Sequence, residues 1–127
     1  MKTFSVYAGI ALGGAVGAMA RHLVGMMCLH LLGARFPVGT FVINITGSFF
    51  LGWFITMTGE KMQVSEVARI AVATGFVGAY TTFSTYMFES NALLTSGNTM
   101  KGIVNMVGSV VVGLLAVKLG IWVAQRA

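Results

Sequence analysis

The run Thr81-Thr82-Phe83-Ser84-Thr85-Tyr86 sets four aliphatic hydroxyls and two aromatic rings in the middle of a long apolar stretch, directly after Gly75-Phe76-Val77-Gly78. A lipid-facing helix has no use for such a break, because each backbone group freed in hydrocarbon costs several kcal/mol. Interrupted backbone persists at that depth where protein buries it or where it lines a polar cavity. The run therefore points to a membrane protein that handles a polar solute or an ion. Two half-helices meeting there bring a C-terminus with free carbonyls close to an N-terminus with free amides. Carbonyl ends suit a cation such as Na+, whereas amide ends and hydroxyls suit an anion. Phe83 and Tyr86 lie three apart on one face of the second half-helix, and their positive ring edges can touch a small anion. Aromatic core packing is the competing reading of the same pair.

Further polar groups lie inside apolar runs. Arg21 is far from either end of the first run and is expensive there unless buried, paired or hydrated, with snorkelling as the alternative. Asn44 offers a neutral donor and acceptor in mid-span, and Asn105 sits near the start of the last run; either could also serve as interhelical glue. Glu89 is the only acid within a span, on one helical face with Thr85 and Tyr86, placed to pair with a cation or to be protonated and hydrogen-bonded. His22 and His30 have no third ligand nearby, so no metal site is read there. The lone Cys28 excludes an intrachain disulfide and reads as a small apolar helix residue.

The elements that must position these groups follow from composition. The 127 residues are 57% hydrophobic and 9% charged, with mean hydropathy +0.88; soluble domains carry about 25% charged residues. The net charge of +5 comes from scattered bases that flank apolar runs. That placement reads as interface anchoring rather than a phosphate-binding stripe, so no nucleic-acid partner is expected. Four apolar stretches, about 4–32, 38–57, 67–94 and 103–124, each exceed the roughly 20 residues that cross a bilayer. The fold expected is an all-α integral membrane protein, one four-span domain with the third helix broken at mid-membrane. Lys2 and Ala18-Met19-Ala20 imitate a cleavable leader, but apolar character resumes beyond Arg21, so the segment reads as a retained helix. Pro37 fits the first turn of the second helix. Stripes at i, i+4 spacing (Gly9, Gly13, Gly17, Arg21, Gly25; Thr40, Asn44, Ser48, Gly52; Asn105, Ser109, Gly113) are suited to close helix packing in lipid. Lys2, Lys61, Arg69 and Arg126 would share one side and face Arg35 and Lys101, a modest bias partly offset by Glu60 and Glu66, so charge alone leaves orientation undecided.

Several of these segments resemble one family. Gly39 to Gly47 is similar to the second-helix motif of the Fluc (CrcB) fluoride channels, Gly75 to Thr85 to their third-helix break, Gly13 to Arg21 to their first-helix signature, and Gly108-Ser109 to their fourth-helix pair. The resemblance runs the length of the chain in order and spacing. It implies an antiparallel, dual-topology homodimer in the bacterial inner membrane, with two fluoride pores per dimer that passively export cytoplasmic fluoride. It implies a structural Na+ at the dimer interface, held by backbone carbonyls of Gly78 and Thr81. It carries pore roles onto Asn44, Phe83, Tyr86, Thr82, Ser84 and Ser109, a vestibule role onto Arg21, and a family glutamate onto Glu89. Two departures stand out. Tyr86 replaces a frequent phenylalanine and adds a donor, and Gly113 replaces a frequent hydroxyl, so the fourth-helix polar track rests on Asn105 and Ser109. No nucleophile–base pair or cofactor loop appears, so an enzyme is not expected. Two rivals remain. A small proton-coupled exporter needs an acid in the first span, where this chain has Arg21; a structural subunit would use the polar stripes only as glue.

Overall fold

Long apolar runs can satisfy their backbone in lipid by coiling into α-helices. In a computed structural model, which describes residues 2–127, every regular element is helical, and no strand occurs among the described residues. Helix α1 spans Lys2–Leu32, α2 Val38–Glu60, α3 Glu66–Ile70, α4 Gly78–Tyr80, α5 Phe83–Thr95 and α6 Thr99–Arg126. A π-helical segment, Ala71–Val77, joins α3 to α4 without a gap. The continuous helices α1, α2 and α6 are each long and apolar enough to cross a bilayer. The region expected as a third span is a broken helix: α3, the π segment and α4 form one half, and α5 forms the other.

Local chemistry sets the ends. Ser65 caps α3 by accepting the Ala68 N–H at 3.2 Å. Gly33 and Gly97 take positive φ, 75° and 81°, and so terminate α1 and α5 in the left-handed conformation that glycine adopts without a Cβ clash. Pro37 sits one position earlier than the sequence suggested. It is the N-cap of α2 at ψ 59° rather than a residue of the first turn, and its carbonyl accepts from Phe41.

Packing uses the small-residue stripes as seams. A Cβ added at Gly13 would collide with the Ala71 carbonyl, and one at Gly17 with the Phe76 carbonyl; from the facing side, Gly75 approaches the Ile10 carbonyl so closely that a Cβ would lie 2.8 Å from it. Helix α1 is thereby set directly on the π segment. The second seam joins α2 to α6, where Gly52 faces the Val117 carbonyl and Gly120 the Phe49 carbonyl. Aromatic contacts bind α2 to the first half of the broken helix: Phe50 meets Phe76 edge-on at 6.2 Å, Phe76 stacks on Tyr80 at 5.8 Å, and the Tyr80 hydroxyl bonds the Thr46 hydroxyl at 2.9 Å. Large apolar side chains such as Leu12, Met19 and Leu23 on α1 and Val107, Leu114 and Leu115 on α6 are more than half exposed. That is the reverse of a water-soluble fold and suits a lipid solvent.

The break is narrower than the glycine pattern suggested. Gly78 is helical at φ −61°, ψ −37°, and Gly75 lies within the π segment. The chain leaves helical geometry only at Thr81 (ψ 161°) and Thr82 (φ −152°, ψ 120°). Extended backbone of this kind suits β-branched threonine. Gly75 serves close approach instead, letting α1 come near, whereas a Cβ at Gly78 would meet open space.

This packing has a measurable consequence. In thermal melts of detergent-purified protein, Gly17→Ala is expected to cost about 1–3 kcal/mol of stability through the clash with backbone. Gly14→Ala, whose Cβ would stand 3.8 Å from the Gly75 carbonyl, is expected to be neutral or slightly stabilising in a helix. Equal melting of the two variants would contradict the seam.

Candidate ion site at the helix break

Ending α4 at Tyr80 and restarting at Phe83 leaves backbone groups in need of partners, and one side chain supplies two of them. The Thr82 N–H donates to Asn44 Oδ1 at 2.8 Å, and Asn44 Nδ2 donates to the Thr82 carbonyl at 2.9 Å. In an unbroken helix that N–H would donate to the Gly78 carbonyl four residues back, which is thereby released. The same exchange releases the Thr81 carbonyl, because the Thr85 N–H is taken by the Thr82 hydroxyl at 3.3 Å, the N-cap of α5. The Thr81 N–H and hydroxyl both donate to Val77 O, at 3.0 Å and 2.9 Å. From α1, Arg21 Nη1 reaches the freed Thr81 carbonyl at 3.4 Å. Gly47 makes room for the break, since the Thr81 methyl occupies the place a Cβ would take.

Beside the break lies a recess of about 240 Å3 whose walls include Asn44, Ser48, Leu51, Thr82, Phe83 and Tyr86. Phe83 is 72% exposed and Tyr86 only 7%, and their rings meet edge-to-face at 5.9 Å and 62°. The Tyr86 hydroxyl donates to the Met106 carbonyl on α6 at 2.6 Å. The extra donor at this position is therefore engaged by α6 backbone, and the aromatic body is what the recess receives. A larger cavity, about 810 Å3, is lined by Arg21, His22, Arg35, Thr40, Thr82, Thr85 and Glu89 among others. There Glu89 Oε1 accepts the Thr40 hydroxyl at 2.9 Å, while Oε2 is shielded and has no hydrogen-bond partner. Thr82 lines both spaces and so stands between them.

The structure thus brings Asn44, Thr82, Phe83 and Tyr86 to one recess, and Arg21 and Glu89 to the adjoining cavity. It sets the remaining sequence candidates apart. Asn105 is 2% exposed and donates to Ser90 Oγ at 2.9 Å; Ser90 in turn donates to the Tyr86 carbonyl at 2.7 Å. Asn105 stands behind Tyr86 and off the recess. Ser109 is outside the recess lining, with its hydroxyl shielded and unpartnered. Ser84 is exposed, its hydroxyl 3.4 Å from that of Thr82. Among the described residues no group of three His, Cys, Asp or Glu could hold a metal ion. Sequence reasoning passed over Ser48 as a recess wall, although it shares a helical face with Asn44. It missed Ser90, for which the sequence carries no signal.

These features define a multi-pass membrane protein with a small recess beside a helix break. The chain belongs to the CrcB-like family: the family model for CrcB-like protein, Camphor Resistance (CrcB), matches residues 8–121. It is 44% identical over 120 residues to the "Fluoride-specific ion channel FluC" of Acidobacterium capsulatum, covering 94% of this chain and 96% of that one. It is 42% identical over 120 residues to the protein of the same name from Solibacter usitatus, covering 94% and 98%, and 40% identical over 111 residues to that of Aquifex aeolicus, covering 87% and 90%. The family is one of ion channels, and the chain is not an enzyme.

Asn44→Val removes both bonds to Thr82. It is expected to lower stability by about 1–3 kcal/mol, since a half-buried backbone pair loses its partners, and to speed hydrogen exchange at the Thr82 amide. Unchanged exchange there would show that Asn44 does not hold the break.

Proposed function

We propose that this chain is a fluoride-selective channel that exports cytoplasmic fluoride passively across the bacterial inner membrane, working as an antiparallel, dual-topology homodimer with two pores. The observation that carries the reading is the recess at the break, where a carboxamide, a threonine and two aromatic rings converge without a fixed cation; the printed name of the relatives supplies the ion. Fluoride is small and tightly hydrated, so its path must replace water with strong donors that do not trap it. The remaining N–H of Asn44, the hydroxyl of Ser84 and the ring edges of Phe83 and Tyr86 are donors of that kind. With the cell interior negative, a monovalent anion gains about 2.3 kcal/mol per 100 mV on leaving. Fluoride that entered as HF is therefore driven out without coupling to another solute.

Exposure supports the reading of a second copy. Phe83, Ser84 and Thr85 are exposed on the single chain, and hydroxyls at that depth need protein or water rather than acyl chains. A partner in the opposite orientation covers this face and closes the recess into a pore, and the weak bias of bases between the two sides permits both insertions. The broken helix would then be the fourth crossing. The freed carbonyls of Gly78 and Thr81 fit a Na+ between the copies. They are hard oxygen donors at a helix C-terminus, and the long Arg21 contact leaves a second lone pair on the Thr81 oxygen. Such an ion would offset the converging negative helix ends.

The test is efflux from proteoliposomes under a K+ diffusion potential, read with a fluoride electrode beside a chloride control. Fluoride is expected to leave while chloride stays, and Phe83→Ile should abolish the fluoride flux while the dimer elutes unchanged. No release from folded protein, or full flux in Phe83→Ile, would overturn the pore. Replacing Na+ by a large organic cation is expected to lower the melting temperature and loosen the dimer. A dimer indifferent to Na+ would refute the carbonyl site.

A further inference from the structure

Behind the recess lies a buried polar cluster that the proposed conduction path does not use. Asn105 and Ser90 are each 2% exposed, and Asn105 Nδ2 donates to Ser90 Oγ at 2.9 Å. Ser90 Oγ donates in turn to the Tyr86 carbonyl at 2.7 Å, one helical turn back on α5. The next residue of α6, Met106, accepts the Tyr86 hydroxyl at 2.6 Å. Farther along the same contact Gly102 makes room for Leu94, whose Cδ2 would stand 2.7 Å from a Cβ there. Leu94 with Gly102, Ser90 with Asn105 and Tyr86 with Met106 are thus successive rungs between α5 and α6. Glue between two helices needs only one such bond. Here two adjacent residues of α6 hold the same turn of α5, one through its backbone and the other through its side chain. A serine hydroxyl bonded to the carbonyl four residues back often bends its helix, so the link from Asn105 acts on the turn that carries Tyr86. That residue is the one whose buried ring walls the recess.

We propose that Asn105 and Ser90 are positioning residues that fix the Tyr86 ring edge in the recess, and that discrimination between fluoride and larger halides depends on this fixed edge. The inference rests on the fluoride reading above. A pore selects by its size or by the strength of its donors, and either is blunted when a wall can retreat. Chloride is larger than fluoride and holds its water less tightly, so a yielding wall admits it. A ring that keeps its distance from the Asn44 carboxamide does not. Of the two rings in the recess, Tyr86 is the one that the chain itself fixes, since Phe83 is 72% exposed. Asn105 and Ser90 therefore act on the ion through Tyr86 and do not touch it.

The experiment compares fluoride and chloride release from proteoliposomes of the full-length protein carrying Ser90→Ala, Asn105→Leu or both. The ratio of fluoride to chloride release is expected to fall about tenfold in each single variant, the scale set by losing one intramolecular hydrogen bond. It should fall no further in the double variant, because the two side chains form one relay. A partly unfolded sample lowers both fluxes together and leaves their ratio unmoved, so the ratio separates positioning from stability. Ser90→Ala removes a single oxygen and carries the test where Asn105→Leu does not fold. In protein with isotope-labelled tyrosine rings, the Tyr86 NMR signal is expected to shift or broaden in Ser90→Ala. A wild-type ratio kept in Ser90→Ala, or losses that add in the double variant, overturns the proposal. A wild type that passes no fluoride removes the channel reading and this inference together, whereas a selective wild type with equally selective variants removes the inference alone.

Discussion

The Asn44 carboxamide, bonded to both backbone groups of Thr82 at 2.8 and 2.9 Å, is the interaction on which the rest of the site depends. A helix broken inside hydrocarbon must find partners for every group the break releases. One neutral side chain on α2 satisfies the residue at the centre of the break without introducing a charge. Because Thr82 turns to Asn44, the Gly78 carbonyl loses its helical donor, and because the Thr82 hydroxyl caps α5, the Thr81 carbonyl loses its own. Capping the second half-helix and freeing the end of the first are therefore one event. That exchange sets carbonyl oxygens on one side of the break and donors on the other.

Two glycine seams hold this arrangement still. The π segment widens the first half of the broken helix, and α1 follows it closely because Gly13, Gly17 and Gly75 carry no side chain where carbonyls pass. On the far side, α6 is drawn onto α2 by Gly52 and Gly120, and from there it grips α5. Met106 and Asn105 are neighbours on α6; one accepts from the Tyr86 hydroxyl and the other donates to the serine that bonds the Tyr86 carbonyl. The buried ring is held at both ends, while Phe83, three residues earlier, stays open to the outside.

Much of this was legible from residue types. Apolar runs with small-residue stripes specify lipid-embedded helices with close seams, and a cluster of hydroxyls after two glycines marks interrupted backbone. The hydroxyl run located the break, with Phe83 and Tyr86 on the second half-helix; its extent was not legible, because glycine signals permission for two different things, unusual dihedrals and close approach. Here Gly75 serves approach, while two threonines carry the extended backbone. The π segment left no signal either, since its extra residue per turn follows no pattern of residue types. Asn105 illustrates a further limit. A polar residue on a stripe indicates that a partner exists, but only the fold shows that this partner is Ser90, behind the aromatic ring, rather than the recess. The Tyr86 hydroxyl is similar: the sequence shows a donor, and the packing of α5 on α6 decides where it points.

On the proposed reading one chain carries half a site, with the exposed Phe83, Ser84 and Thr85 left for a second copy to cover. Counting fluorophore bleaching steps for singly labelled protein, reconstituted at high dilution in lipid bilayers, tests this directly. The account predicts a distribution dominated by two steps that persists on dilution. Single-step spots throughout, from protein that still conducts, would mean that one chain is complete by itself and that the open face at Phe83, Ser84 and Thr85 has another explanation.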